Sequence, residues 1–270
     1  MVPTENIVAI VVVLVVSVLL PVIGWFIVRR RAKVNIINAL VGAGIFFICF
    51  IIAVVTSMLG SALIASPIIL TLVLSLRAGL VEEFGRFVAF KWILKRSKTV
   101  NDALMYGVGH GGVEVLLVLS MSMISNLVFV ATVNSGALDV MAAAAPDQAA
   151  AIYAAAQTLI ETSPLLFGAG LVERIIAMVL HISLSVIVFC AVRQRKWLYL
   201  LLAIALHTLL NSSIVLMIVG IVGVWGLELV LACIVVCVAL IAWRIARAYR
   251  PPAEPWETAP PPEFQNAPIG

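Results

Sequence analysis

Long apolar stretches fill nearly the whole chain, and they restrict its fold more than any other feature. Of the 270 residues, 64% are hydrophobic and only 11% are charged, against about 45–50% and about 25% in soluble domains. A membrane-spanning helix needs about 20 mostly apolar residues. Seven stretches reach this length: 7–28, 35–58, 62–94, 100–130, 167–192, 197–219 and 224–246. We therefore predict an all-α fold, a polytopic transmembrane helical bundle over residues 1–250 in the lipid bilayer of the cell membrane.

The composition also excludes two classes of protein. The formal net charge is only +4, and most of the basic residues stand at the ends of apolar stretches, so no nucleic-acid partner is expected. The four cysteines all lie within apolar stretches, where a free cysteine behaves as a small hydrophobic residue. A secreted scaffold held by disulfides is therefore excluded as well.

The distribution of basic residues predicts the topology. Most of the 17 Lys and Arg residues form four clusters: 29–33, 91–98, 193–196 and 244–250. Seven crossings place all four clusters on one side of the membrane, which is the cytoplasmic side by the positive-inside rule. The N-terminus is then outside and the C-terminus inside, and the external connection 131–166 contains no Lys or Arg. Residues 251–270 hold seven of the twelve prolines and are predicted to be a disordered cytoplasmic tail.

Ionisable side chains within the predicted spans form one layer. Each costs roughly 2.5–3.5 kcal/mol to insert, so each needs a partner or a function. Counted along helices from the basic clusters at about 1.5 Å per residue, four of them lie roughly 17–20 Å deep, near the middle of a bilayer. These four are Glu82, His110, His181 and His207. Because each belongs to a different span, we predict a polar site between four helices.

Spacing within the helices indicates which side chains share a face. Three pairs are four residues apart: Glu82 and Arg86, His110 and Glu114, His207 and Asn211. The glycines of GVGHGG at 107–112 allow another backbone or a substrate to approach closely. We interpret Glu173 and Arg174 as a structural pair in the outer half, and we place Glu228 outside the polar layer.

Two classes of function use such a layer. In an intramembrane hydrolase a carboxylate deprotonates water, while imidazole and amide groups stabilise the oxyanion. In an ion- or proton-coupled transporter, carboxylates and histidines form a relay, but no internal repeat supports this alternative. A catalytic zinc site is open to His110, Glu114 and His207. No HExxH helix is present, however, and Asn211 is a better oxyanion donor than zinc ligand, so the residues favour a mechanism with no cofactor over one with Zn²⁺.

Three motifs in this order resemble the YhfC family of intramembrane proteases, which is related to the CAAX-protease and bacteriocin-processing superfamily. They are EEFGR at 82–86, YGVGHGG at 106–112 followed by Glu114, and HTLLN at 207–211. The resemblance implies hydrolysis of a peptide bond in a membrane-associated peptide or protein. It implies these catalytic residues: Glu82, Glu83, Arg86, His110, His207 and Asn211.

The resemblance also bears on supporting residues and on the identity of the base. ERIIAMVLH at 173–181 matches the family pattern and adds Glu173 and His181 to Glu114 as supporting residues. CAAX proteases have three residues between the glutamate pair and the arginine, whereas this chain has two. We take Glu82 as the base on water and keep Glu83 as the alternative.

Overall fold

The computed structural model describes residues 1–31 and 33–250, and all regular structure in these ranges is helical. The α-helices are α1 (Thr4–Arg31), α2 (Ile37–Leu63), α3 (Pro67–Val88), α4 (Val100–Val115), α5 (Met121–Asn134), α6 (Leu138–Ala144), α7 (Ala149–Glu161), α8 (Pro164–Arg193), α9 (Trp197–Ser212), α10 (Val215–Ile218) and α11 (Val224–Ala248). The predicted all-α fold is confirmed. The tail predicted at 251–270 lies outside the described residues.

Local sequence fixes where the two helices that carry most of the polar residues begin. Ser66 caps α3, since its hydroxyl accepts a hydrogen bond from the backbone N–H of Ile69, and Pro67 occupies the first helical position. α4 begins with a capping box in which Thr99 and Asp102 satisfy each other's backbone N–H groups. These caps set the registers in which α3 and α4 present their charged residues.

One end of the bundle collects the basic clusters. Arg193, at the end of α8, donates hydrogen bonds to the carbonyl oxygens of Leu94 and Ser97, between α3 and α4. The Tyr249 hydroxyl, just after α11, donates to the carbonyl oxygen of Lys98. We call this the basic end.

The chain's N-terminus lies at the opposite end. The buried side chain of Asn6 donates to the carbonyl oxygens of Leu159 and Thr162, near the start of α8. The backbone N–H of Val2 donates to Oδ1 of Asn134, at the end of α5. The chain therefore alternates between the two ends in the order that the basic clusters predict. Which end faces the cytoplasm remains a prediction.

Within residues 1–31 and 33–250, six helical segments are long and apolar enough to cross a membrane: α1, α2, the α4–α5 segment, α8, the α9–α10 segment and α11. α3 is 22 residues long but carries four charged residues, Arg77, Glu82, Glu83 and Arg86. After a short connection from α2, it runs back to the basic end, where α8 and α11 also end. The polytopic bundle is confirmed, and α3 as a seventh crossing remains a prediction.

α4 lies between α2 and α8 and touches both neighbours through glycine. A Cβ atom on Gly109 would lie 1.9 Å from the carbonyl oxygen of Ala39 in α2. One on Gly107 would lie 2.5 Å from Cα of Ile182 in α8. The close backbone approach predicted from the glycine-rich segment is therefore confirmed, and it places His110 between α2 and α8.

Two π-helical turns follow the charged parts of α3 and α4. One covers Ala89–Ile93, directly after α3, and the other covers Leu116–Ser120, between α4 and α5. π-Helical turns are rare in proteins, and those that occur are often found at functional sites. Here each turn changes the helical register just after charged side chains have been presented to the interior.

Candidate active site

Four helices direct polar side chains into one cluster in the interior. The cluster consists of Glu82, Glu83 and Arg86 from α3, His110 and Glu114 from α4, His181 from α8, and His207 from α9. Glu83, Arg86 and His110 are fully buried, and His181 and His207 are nearly so. The four spans predicted to share a polar layer therefore do meet.

One oxygen atom of Glu82 lies among all three histidines. Oε2 is 3.2 Å from Nε2 of His110, 3.9 Å from Nδ1 of His181 and 4.0 Å from Nε2 of His207. The Glu82 side chain is 14% exposed, whereas that of Glu83 is completely buried. Of the two adjacent glutamates, Glu82 is thus the one that meets both the histidines and the open space.

Glu83 is fully buried and holds two neighbours. Both of its oxygens accept from the Arg86 guanidinium. Oε1 also lies 2.7 Å from Nδ1 of His207. Because a carboxylate engaged by arginine can only accept, Nδ1 of His207 carries a proton, and its other ring nitrogen, Nε2, is directed towards Glu82. Arg86 therefore pairs with Glu83, three residues away, and not with Glu82 at the predicted spacing of four.

His181 connects the cluster to a second set of charges. Nη2 of Arg86, which can only donate, lies 3.0 Å from Nδ1 of His181, so this nitrogen accepts. Nε2 of His181 then carries the proton and lies 2.6 Å from Oε2 of Glu114. The other oxygen of Glu114 accepts from Arg174 at 2.5 Å, and Arg174 also pairs with Glu173. The pairing of Glu173 with Arg174 is observed as predicted, with Glu114 as an additional member.

The atoms best placed to hold a metal ion belong to Glu82, His181 and His207. One potential ligand atom from each lies within 4.8 Å of the others. Behind them, Glu83 contacts His207 and Glu114 contacts His181, as carboxylates do behind histidines that bind metals. This set shares only His207 with the zinc ligands expected from the sequence. His110 presents its Nε2 to Glu82, and Glu114 contacts Arg174 and His181.

Aromatic rings close one side of the histidine group. Phe46 of α2 presents its ring edge-on to His110, with centroids 5.1 Å apart, and to His181 at 6.5 Å. Tyr106, four residues before His110, stacks on the same imidazole at 5.9 Å. Such rings exclude water and lower the local dielectric, which strengthens electrostatic interactions within the cluster.

A cavity of about 330 Å³ extends from the cluster towards the end of the bundle opposite the basic end. Glu82, His181 and His207 line its inner part, together with Asn211, one turn beyond His207. Its outer part is formed by the first half of α8, by α10 and by the start of α11. Glu228 of α11 lines this outer part. Glu228 does not join the layer of the histidines, in line with the prediction, but the cavity continues beyond that layer and reaches it.

Comparison with known proteins identifies the family. A family model described as YhfC intramembrane metalloprotease matches residues 16–235. The chain belongs to the YhfC family. Over 176 residues it is also 35% identical to a protein of Bacillus subtilis (strain 168) described as uncharacterized membrane protein YhfC, an alignment that covers 65% of this chain and 67% of that protein. Membership supports a multi-pass membrane protease and suggests a bound metal. The relation to CAAX proteases remains a prediction.

Sequence reasoning found most of the clustered residues and missed two contributors. All three histidines, both glutamates of the pair, Arg86 and Glu114 come together. Asn211 lines the same cavity. Phe46 was missed because it is one of three phenylalanines in a mostly apolar helix, and its position in the sequence does not distinguish it from the other two. Glu228 was considered and set aside, although a carboxylate within an otherwise apolar span was itself the signal.

Proposed function

We propose that this protein is an intramembrane peptidase that hydrolyses a peptide bond at the Glu82 end of the cavity. The observation that carries the proposal is the position of Glu82 Oε2, which lies within 4.0 Å of a nitrogen atom of each of three histidines beside an open cavity. Membership of the YhfC family supports a protease. Glu83 lacks access to this cavity because its side chain is fully buried.

The remaining contacts suggest a role for each group. Oε1 of Glu82 takes no part in the histidine contacts, and we assign to it the proton of the attacking water. His110 holds the opposite oxygen, so the carboxylate stays oriented. As water adds to the carbonyl carbon, negative charge develops on the carbonyl oxygen, which the Asn211 amide stabilises from the cavity wall. Glu82 then passes its proton to the departing amine as the C–N bond breaks.

The donor set also fits a divalent metal, which would be held by Glu82, His181 and His207. Nδ1 of His181 accepts a hydrogen bond from Arg86 and is therefore unprotonated, and Nε2 of His207 is the ring nitrogen directed at Glu82. Arg86 presently donates to the latter atom, so an ion would compete with Arg86 for it. When bound, the metal would polarise the carbonyl and lower the pKa of water. Because His181 joins Glu82 and His207 as a possible ligand, we favour a metal-dependent mechanism over one with no cofactor.

The direction of the cavity also suggests from which side of the membrane substrates reach Glu82. It extends from Glu82 away from the basic end, which the positive-inside rule assigns to the cytoplasm. Substrates therefore reach Glu82 from the outer side of the cell membrane. α3 contributes the central carboxylate and is the least apolar of the helices that run between the two ends, so its charged face is turned to this interior and its apolar face to lipid.

A reconstitution experiment tests the proposed function. Proteoliposomes that contain the wild type are incubated with a library of transmembrane peptides, and new peptide termini are identified by mass spectrometry. Cleavage should occur with the wild type and with Glu161→Gln, an exposed residue of α7, but not with Glu82→Gln. Proton or cation movement that Glu82→Gln abolishes, with no cleavage of any peptide, would replace the protease with a transporter.

A further inference from the structure

The outer part of the cavity contains one carboxyl group without a partner. Glu228 is 6% exposed, and its Oε2 atom forms no hydrogen bond with any residue that the structure describes. It lies one turn into α11, beside Leu227 and Leu231, which are also buried. A buried carboxyl group that lacks a partner costs several kcal/mol by typical transfer measurements. Its retention within a transmembrane helix therefore needs a reason.

The other carboxylates of the cavity are already paired. Glu82 contacts His110, and both Glu114 and Glu173 contact Arg174. The two terminal nitrogens of Arg174 are engaged by those two glutamates. Glu228 lies within electrostatic range of Arg174 and Glu173 but makes no ion pair with the arginine. This part of the cavity thus holds three carboxyl groups and one guanidinium, which leaves it able to accept another positive charge.

We propose that Glu228 binds a cationic group of the substrate, an ammonium or a guanidinium, while the peptide bond lies at Glu82. This inference rests on the proposed function, because it takes the same cavity as the substrate site. Both ends of the interaction are on one continuous surface, with Glu228 in the outer part and Glu82 in the inner part. The apolar walls between them, which include Leu180 and Leu210, suit the aliphatic segment that connects the charge to the scissile bond.

Two chemical sources would provide such a charge. One is a Lys or Arg side chain near the outer end of a transmembrane substrate, and the other is the free amino terminus of a peptide. A buried hydrogen bond to a charged group contributes more than one to a neutral group. We therefore expect a cationic peptide to bind at least about tenfold more tightly than its neutral counterpart.

Binding is measured separately from cleavage to test this inference. The Glu82→Gln protein, which is expected to bind without cleaving, is reconstituted in nanodiscs with fluorescent Leu/Ala transmembrane peptides. One series carries either Lys or norleucine at successive positions near the outer end, and all its members have a blocked amino terminus. A second series has norleucine at all these positions and either a free or an acetylated amino terminus.

In one of the two series, the cationic peptides should bind more tightly than their neutral counterparts. This preference should be lost in Glu82→Gln/Glu228→Gln. Glu82→Gln/Glu228→Asp should retain part of it, and Glu82→Gln/Glu161→Gln should retain all of it. Equal binding of cationic and neutral peptides, failure of the cationic peptides to bind, or a preference that survives Glu228→Gln would each overturn it. A preference that depends on Glu228, without cleavage by the wild type, would leave the inference standing and contradict the peptidase.

Discussion

Nδ1 of His207 lies 2.7 Å from Oε1 of Glu83, and this contact separates the roles of the two adjacent glutamates. Glu83 also holds the buried guanidinium of Arg86. Glu82 instead reaches the open cavity and lies closest to His110. The first glutamate is thus placed for chemistry, and the second orients a histidine and neutralises an arginine.

Glu83→Gln should therefore damage stability as well as activity. It leaves the Arg86 charge buried without its partner, which typically costs about 3–5 kcal/mol. Glu82→Gln should abolish activity while leaving the melting temperature close to that of the wild type. Thermal unfolding in detergent, followed alongside cleavage, checks both variants. In Glu83→Gln/Arg86→Met no unpaired charge remains, so this double variant should recover stability but not activity. Equal melting temperatures for the two single variants would contradict the assignment.

Replacing Asn211 tests the oxyanion role. Asn211→Ala should lower kcat by about 10²–10³ with little change in KM, since the amide is needed when the negative charge develops. Asn126→Ala, in α5 and away from the cavity, is the matched control and should behave as the wild type. A rise in KM alone would instead make Asn211 a ground-state contact.

The contact between α2 and α4 should be sensitive to a single methyl group. Gly109→Ala would place a Cβ atom against the carbonyl oxygen of Ala39, so the free energy of unfolding should fall by about 1–3 kcal/mol. Gly44→Ala in α2 meets no atom within 4 Å and should not destabilise the protein. Denaturation by SDS titration measures both. A Gly109→Ala protein as stable as Gly44→Ala would mean that the two helices are farther apart.

Reporter fusions test the orientation of the bundle. A periplasm-active reporter placed after Ala144, between α6 and α7, should be active, and one joined at Gly270 should be inactive. A cytoplasm-active reporter should give the reverse pattern at both sites. Activity of the cytoplasmic reporter after Ala144 would invert the topology and place the opening of the cavity on the cytoplasmic side.

The sequence predicted the helices well because composition alone decides them. A segment of some 20 apolar residues has few alternatives to a membrane-spanning helix. The members of the site were also predictable, since ionisable residues are rare in such segments and each must be satisfied. Counting residues from the basic clusters correctly indicated that Glu82, His110, His181 and His207 meet.

The partners within the site were not predictable from spacing. Residues four apart share a helical face, which suggested contacts between Glu82 and Arg86 and a common metal for His110 and Glu114. The observed contacts instead connect different helices, as between Glu82 and His110 or between Glu114 and His181. These contacts depend on how each helix is rotated about its axis and on how closely the helices pack at glycines. Neither can be read from the spacing of residues along the chain. For the same reason, residue spacing did not show that the cavity extends as far as Glu228.

Metal content tests most directly whether Glu82, His181 and His207 form one centre. Protein purified without chelators is measured by inductively coupled plasma mass spectrometry, together with His181→Ala, His207→Ala and His110→Ala. The account predicts about one equivalent of a divalent metal in the wild type and in His110→Ala, and loss of that metal in the other two variants. A wild type without metal, or a metal lost in His110→Ala but retained in His181→Ala, would contradict it.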